Sequence, residues 1–585
     1  MAAKASVKNK SALTGTNAAD VLTVQHSEVT VKAGKGNDKI TVSKGAGNVL
    51  YGGTGADTIT IGKSAGKGNK VYGDAGNDTI KVSAKYGVTI NGGAGNDKLY
   101  GGKGNDTFTG GKGKDTFFYA NGGGKDTITD YQAGEDKLQI TSGSISKTAI
   151  TKNKKDLVFT VGKGTITLKN AAGKKISMKD TRGTYTMNNK LITLGKDFTG
   201  TMDATKYVST IKSIDARNVA KAVNITGNSQ ANRILPGRGG GTYKCGAGND
   251  TIEIDGNGEY TVHGNDGNDT ILIKGSRKCT VYGDAGDDNI NISGFGTGNT
   301  VYGNDGNDTI HVTNGKTDID GGAGNDTIHI VGGSSHIISG GAGADTIHIV
   351  GGLRHIISGG AGADTFNYTS GTATIRDYAA EDTLSFTSAI TGITVSGQNI
   401  NLTAGFGGSV TVENGVGKLT RFNNGDQKTS ILYAEDDINF GTDNGEIIIA
   451  NSADDIKISA QGGDDYLYGG YWQNGDTGND HLFSGSSTQH MFGGGDSDKD
   501  VFYFSSDSYK GEIRIYDFIM YDDMIEFMDE GENSVYADSD PWRDGSDVCL
   551  RLSSGSNLRF VDYASDMIRY SDLHNSLFGA MAVDD

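Results

Sequence analysis

Residues 245–364 read CGAGND (245–250), GNDGND (264–269), GDAGDD (283–288), GNDGND (303–308), GGAGND (321–326), GGAGAD (340–345) and GGAGAD (359–364). Each hexapeptide is followed by a short alternation such as Thr-Ile-Glu-Ile (251–254), Thr-Ile-Leu-Ile (270–273) or Thr-Ile-His-Val (309–312). Period-two patterning rich in Ile, Val and Thr is the signature of a strand. The closing aspartates, Asp250, Asp269, Asp288, Asp308, Asp326, Asp345 and Asp364, are spaced 19, 19, 20, 18, 19 and 19 residues apart. Between them lies a second turn and strand without the acidic motif, such as Val-Gly-Gly-Ser-Ser-His-Ile-Ile-Ser (331–339). One repeat is therefore two turns and two strands, which is one coil of a flattened parallel solenoid.

The same period runs through the first third of the chain. Asp20, Asp38, Asp57, Asp78, Asp97 and Asp115 are spaced 18, 19, 21, 19 and 18, and GGKGND (101–106) adds a nine-residue step. Composition agrees with a repeated tight turn. Gly numbers 93 of 585 residues and Pro only 2, which excludes collagen and Pro-rich disorder. The net charge of −17 points away from nucleic acid and anionic membranes and toward cations.

These hexapeptides, extended by their strands to GGxGxDxUx, resemble the nonapeptide of the RTX (hemolysin-type) calcium-binding repeat proteins. The resemblance implies an all-β fold of tandem right-handed parallel β-rolls. It also implies Ca²⁺ as the ligand, extracellular localisation, and export through a type I secretion channel using an uncleaved C-terminal signal, for which Ser-Leu-Phe-Gly-Ala-Met-Ala-Val-Asp-Asp (576–585) is the candidate.

The spacing gives the calcium reading a physical basis. Turns one coil apart stack at about 4.8 Å. Calcium wants six to eight hard oxygens, and two stacked turns offer aspartate carboxylates with glycine carbonyls between them, so seven stacked turns make six sandwiched sites. The residues expected to carry metal are Asp38, Asp57, Asp78, Asp97, Asp106, Asp115, Asp126, Asp250, Asp269, Asp288, Asp308, Asp326, Asp345, Asp364 and Asp480, with carbonyls of Gly53, Gly93, Gly102, Gly111, Gly322, Gly341 and Gly360. In 245–365 metal is expected on one edge only; near Asp106 and Asp126 both edges carry motifs. Without metal, carboxylates about 5 Å apart repel by roughly 1 kcal/mol even at water's dielectric, so folding is expected to follow calcium binding.

Three segments are expected: 1–199, 200–436 and 437–585. Each roll ends in a similar stretch, Asp-Thr-Ile-Thr-Asp-Tyr-Gln-Ala-Gly-Glu-Asp-Lys-Leu (126–138), Ala-Thr-Ile-Arg-Asp-Tyr-Ala-Ala-Glu-Asp-Thr-Leu (373–384) and Ile-Arg-Ile-Tyr-Asp-Phe-Ile-Met-Tyr-Asp-Asp-Met-Ile (513–525), and strands follow that would cap an open solenoid end. The third segment keeps GDTGND (475–480) but is irregular, so fewer sites are expected there. The first ten residues hold charge but no apolar run, so a cleaved leader is not expected there, and no stretch is long and apolar enough for a membrane helix.

No catalytic motif organises the chain. HExxH and a P-loop are absent, and the one GxSxG, Gly62–Gly66, falls between strand patterns rather than before a helix. The expectation is a non-enzymatic secreted protein with a structural or cell-surface role. A toxin-like or accessory protein and a polysaccharide-modifying enzyme are the alternatives; the last would need carboxylate, His and Tyr on one sheet face. Partners would be calcium, the export machinery, further copies of the chain or a cell-surface polysaccharide. His311, His329 and His348 recur three residues after the aspartate and suit either an exposed transition-metal row or simple repeat duplication. Trp472 with Tyr466, Tyr468 and Tyr471 suits either a sugar- or partner-binding surface or packing under an irregular loop. Cys245, Cys279 and Cys549 form no CxxC pair.

Overall fold

The computed structural model describes residues 4–7, 12–275, 278–294, 296–388, 390–396, 398–404, 408–419, 421–424, 427–434, 438–441, 445–450, 457–484, 488–494, 498–504, 512–516, 523–527, 542–544, 547–551 and 557–560. The candidate export tail 576–585 lies outside them. The chain forms two compact units, Met1–Asp318 and Ile319–Asp585. Nearly all regular structure is β-strand, and the only helical element among the described residues is a single 3₁₀ turn, Ala204–Lys206.

The first unit opens as a two-sheet parallel solenoid. Val21–Val24, Lys39–Gly45, Thr58–Ala65, Thr79–Val82, Lys98–Tyr100, Thr116–Tyr119 and Lys137–Ile140 pair in parallel in one sheet. Thr30–Lys35, Val49–Thr54, Lys70–Ala75, Thr89–Ala94 and Thr107–Lys112 do so in the other. The register is the sequence period itself: Ile40 lies beside Ile59 and Ile59 beside Ile80. Strands of alternating pattern put every second side chain inward, so Leu22, Ile40, Ile59, Ile80, Leu99, Phe117 and Leu138 form one buried row, and Val31, Leu50, Val71, Ile90 and Phe108 another. Successive coils therefore share a core one side chain deep per strand.

The expected caps are antiparallel. Ile145–Ile150, Leu157–Val161 and Gly164–Leu168 form a meander that joins the solenoid through Lys125–Ile128. Position 199/200 lies inside this unit, and parallel pairing runs through it: Leu191–Leu194 pairs with Ser213–Asp215, which leads to Arg233–Leu235 and Thr251–Asp255.

The second unit repeats the scheme. Thr327–Ile330, Thr346–Ile349, Thr365–Tyr368 and Thr383–Phe386 pair in parallel, and Ile390–Ser396, Asn399–Ala404 and Gly408–Val412 form the antiparallel meander. Position 436/437 lies inside this unit, where Gln427–Ala434 pairs in parallel with Glu446–Ala450. Coils then continue through Tyr466–Tyr468, His481–Phe483, Val501–Phe504 and Met524–Phe527.

Candidate metal ladders at the turns

Each acidic turn places its closing aspartate under the backbone rather than in solvent. Asp38, Asp57, Asp78, Asp97 and Asp115 are only 1–2% exposed. One carboxylate oxygen of each holds the previous coil: the backbone N–H of Asp20, Asp38, Asp57, Asp78 and Asp97 donates to Oδ1 of Asp38, Asp57, Asp78, Asp97 and Asp115 at 2.7–2.9 Å. A second run follows in the same unit, where Asn232, Asp250, Asp269 and Asp288 donate to Asp250, Asp269, Asp288 and Asp308. In the second unit Asp326 and Asp345 donate to Asp345 and Asp364 at 2.7 and 2.9 Å. The stacked aspartates expected from the spacing thus form ladders with one bond per coil.

The other oxygen is the chemically active one. Oδ2 of Asp38, Asp57, Asp78, Asp97, Asp115, Asp250, Asp269, Asp288, Asp345 and Asp364 is buried and meets no hydrogen-bond donor among the described residues. A Cβ built on the first glycine of a turn would collide with this oxygen and with a glycine carbonyl of the next coil: Gly73 with Asp78 and Gly92, Gly264 with Asp269 and Gly283, Gly283 with Asp288 and Gly303, Gly340 with Asp345 and Gly359. The missing methyl thus leaves a cradle walled by oxygens from two coils. A buried carboxylate oxygen without a donor is costly, and an all-oxygen cradle suits a hard cation. The residues therefore fit Ca²⁺, with the aspartate Oδ2 atoms and first-glycine carbonyls as the groups that would hold it.

Electrostatics agree. Burial pushes Asp57, Asp97, Asp115, Asp345 and Asp364 up to about 6. It pushes Asp78, Asp250, Asp269, Asp288 and Asp308 to about 7. Each ladder is a column of carboxyls that resist ionising until a cation stands beside them.

The second glycines Gly53, Gly93, Gly111, Gly322, Gly341 and Gly360 sit at φ from +100° to +116°, a region other residues rarely enter. In some coils Asp74, Asn265, Asp284 and Asn304 take this place at φ of 71–76°, as the residues best suited to it after glycine. The carbonyl of Gly322 points at Gly341, and that of Gly341 at Gly360. Gly102 differs. Its N–H donates to Oδ2 of Asp106 at 2.8 Å, so this turn supplies its own carboxylate with a donor. Asp106 lies on the opposite edge, where Val88 donates to it and it donates to Asp126 at 2.8 Å. Burial and the Asp106 charge raise Asp126 to about 8, and its Oδ2 meets no donor among the described residues. In 245–318 the corresponding opposite positions are Tyr260, Cys279 and Asn299, and in the second unit His336, His355 and Ala373. Cys245 and Cys279 are buried free thiols, pushed up by that burial.

The ladders end in the stretches 126–138 and 373–384, by a chemistry the sequence pattern did not disclose. Asp136 continues the first by accepting the Asp115 N–H, but its Oδ2 takes the Gln132 N–H at 2.8 Å. Asp382 ends another in the same way with Ala379 at 2.7 Å. The neighbouring Asp130 and Asp377 each accept two glycine N–H groups of the last turn, Gly110 with Gly111 and Gly359 with Gly360. The repeated Asp-Tyr…Glu-Asp element of 130–136 and 377–382 is thus the chemical stop: backbone donors replace the cation. A further ladder, missed in the irregular third segment apart from Asp480, runs Glu446, Asp465, Asp480, Asp500, Asp523. Asp465 is pushed to about 8 by burial, with Asp480 adding to it.

Ser64 lies in the strand Thr58–Ala65. His329 and His348 stack face to face, centroids 4.3 Å apart. His336 and His355 are buried, and their Nε2 atoms lie 2.9 and 3.0 Å from the Gly332 and Gly351 carbonyls.

Fold and site together define a parallel β-solenoid with carboxylate-lined turns. A family model described as RTX calcium-binding nonapeptide repeat (4 copies) matches residues 44–60, 66–82, 89–117, 293–329, 332–348 and 356–375. The chain carries RTX nonapeptide repeats, and such repeats bind Ca²⁺. No curated protein matches the chain. Among solved structures, the extracellular lipase LipA from Serratia marcescens is 16% identical, with a TM-score of 0.17, over 45% of this chain and 39% of the lipase. The match therefore spans well under half of that lipase's length. No helix among the described residues is long and apolar enough to cross a membrane.

Proposed function

We propose that this chain is a secreted, non-catalytic calcium-folded scaffold with a structural or cell-surface role. The observation that carries this is the series of buried Oδ2 atoms facing glycine carbonyls of the next coil. In a calcium-poor cytoplasm the ladders repel and the chain stays open for export; in millimolar extracellular calcium each ion links two coils and the solenoid closes. The coils then supply long rigid faces suited to assembly rather than chemistry. RTX repeat proteins are typically secreted, which supports the extracellular assignment.

The test is electron microscopy and sedimentation of the purified chain with and without millimolar calcium, alongside circular dichroism. Calcium-dependent sheets, fibres or cell-surface fractionation are expected. A chain that folds with calcium, stays monomeric and lyses target cells would replace this role with a toxin-like one, and turnover of a polysaccharide would replace it with an enzymatic one.

A further inference from the structure

In the second unit five strands pair in parallel: Lys457–Ser459, Trp472–Asn474, His490–Phe492, Glu512–Tyr516 and Asn557–Phe560. Their inward residues, Ile458, Gln473, Met491, Ile515 and Leu558, are buried. The register then lines up Lys457, Trp472, His490, Arg514 and Arg559 in one outward column, one residue per coil. In a chain of net charge −17, this column holds three full cations and an imidazole along about 19 Å.

The side chains are organised rather than splayed. Glu512 anchors both arginines, Nε of Arg514 at 3.1 Å and Nε of Arg559 at 3.0 Å. Arg514 also bonds the Tyr516 side chain, yet its side chain is 49% exposed, so its guanidinium edge can be approached by a ligand carboxylate. His490 is held between two hydroxyls, Tyr516 at 3.0 Å on Nδ1 and Tyr471 at 3.2 Å on Nε2. Tyr471, Gln489, His490, Glu512 and Arg514 line an open cleft of about 310 Å³.

The aromatic rings select among anionic ligands. Trp472 stacks on His490 at 4.8 Å and on Phe492 at 4.5 Å, and Phe492 on Tyr516 at 4.2 Å. Lys457 lies over the Trp472 ring at 5.5 Å. Ring faces are spent on one another, so a ligand meets edges, hydroxyls, an amide, a carboxylate and guanidinium groups. Single-stranded nucleic acid needs free ring faces for its bases, and Glu512 in the midst of the cations opposes a run of phosphates. Vicinal hydroxyls suit a carboxylate, an amide and tyrosyl hydroxyls, and a sugar carboxylate suits the arginine fork.

We propose that this column binds an acidic, uronate-bearing polysaccharide lying along the solenoid axis, at a site separate from the calcium ladders. The experiment uses the full chain in saturating calcium. Affinities for hyaluronan oligosaccharides, neutral dextran oligomers and oligo-dT are measured by calorimetry at two salt concentrations, and calcium-induced folding is followed separately by circular dichroism. The acidic glycan is expected to bind and to weaken with salt. Arg514→Gln and Lys457→Gln are each expected to weaken it about tenfold, one decade in Kd, with an unchanged calcium midpoint. Equal binding of dextran, unchanged binding by both variants, or tighter binding of oligo-dT would each overturn the proposal. Because folding is read independently, loss of the glycan site leaves the calcium reading intact, and the reverse.

Discussion

The two turn columns that flank the opening coils of the first unit differ by little more than one atom. On one edge Oδ1 of Asp57 and Asp78 accepts the N–H of the coil before, at 2.7 Å. On the other, Oδ1 of Asn48 and Asn69 does the same for Val29 and Asn48, at 2.8 and 3.0 Å. The second atom decides the rest. In Asn69 it is an amide nitrogen that donates to the Gly66 carbonyl at 2.9 Å, whereas in Asp78 it is an oxygen facing more oxygens. The hydrogen bond along the column therefore builds the coil, and the charge determines whether the coil needs a cation.

The largest effect expected from this contrast is calcium removal. Chelation at pH 8 should abolish most of the far-UV β signal; a full signal in chelator would show that the aspartate edge closes as readily as the asparagine edge. The next is acid. Burial raises the ladder carboxyls to about 6 and 7 in the folded coil, above the unfolded range near 4. The folded state then holds more protons than the unfolded one between about pH 4 and pH 7, so metal-free stability is greatest below pH 4 and is lost as pH rises through 6 to 7. A metal-free sample taken from pH 8 to pH 5 should regain β signal, and the calcium midpoint should rise as pH falls. Acid that unfolds the metal-free chain further would break the account.

Smaller effects come from single residues. Gly283 lies outside the left-handed region, so Gly283→Ala mainly fills the space between Asp288 and the Gly303 carbonyl. It should raise the calcium midpoint on the order of tenfold and lower the number of bound ions measured by calorimetry. Asp78→Asn should act more mildly, keeping the bond to Asp57 while losing an ion. Asn69→Asp should do the opposite, weakening the coil in chelator and recovering it in calcium. Equal chelator stability of Asp78→Asn, Asn69→Asp and the parent would remove the distinction between the columns.

Much of this was legible because a solenoid maps sequence period directly onto space. The 18–21-residue spacing of Asp38 to Asp115 became coil-to-coil contact, and the stretches 126–138 and 373–384 were readable as ends. Their chemistry was not, because Asp130 and Asp136 act through backbone N–H groups that no spacing displays. The Asp465–Asp523 ladder was missed because its steps of 15, 20 and 23 residues obscure a register that the strands nonetheless keep. Asn48 and Asn69 carry no charge and so drew no notice. The Gly102 turn repeats the motif letter for letter yet turns an N–H, not a carbonyl, to its aspartate, a choice made by local backbone conformation. Trp472 and Tyr471 could be read as surface or as packing until the register set Lys457 and His490 beside Trp472 and Arg514 beside His490.

The identical bond repeated at every aspartate also has a mechanical meaning. Each coil is clamped to its neighbour alone, so a chain pulled from its ends should yield coil by coil instead of all at once. Released coils of 18–21 residues would each lengthen the tether by about 6 nm, giving a graduated sawtooth whose tooth height rises with calcium. The protein would behave as a ratcheted tape, extensible in counted steps and restored by the ions around it.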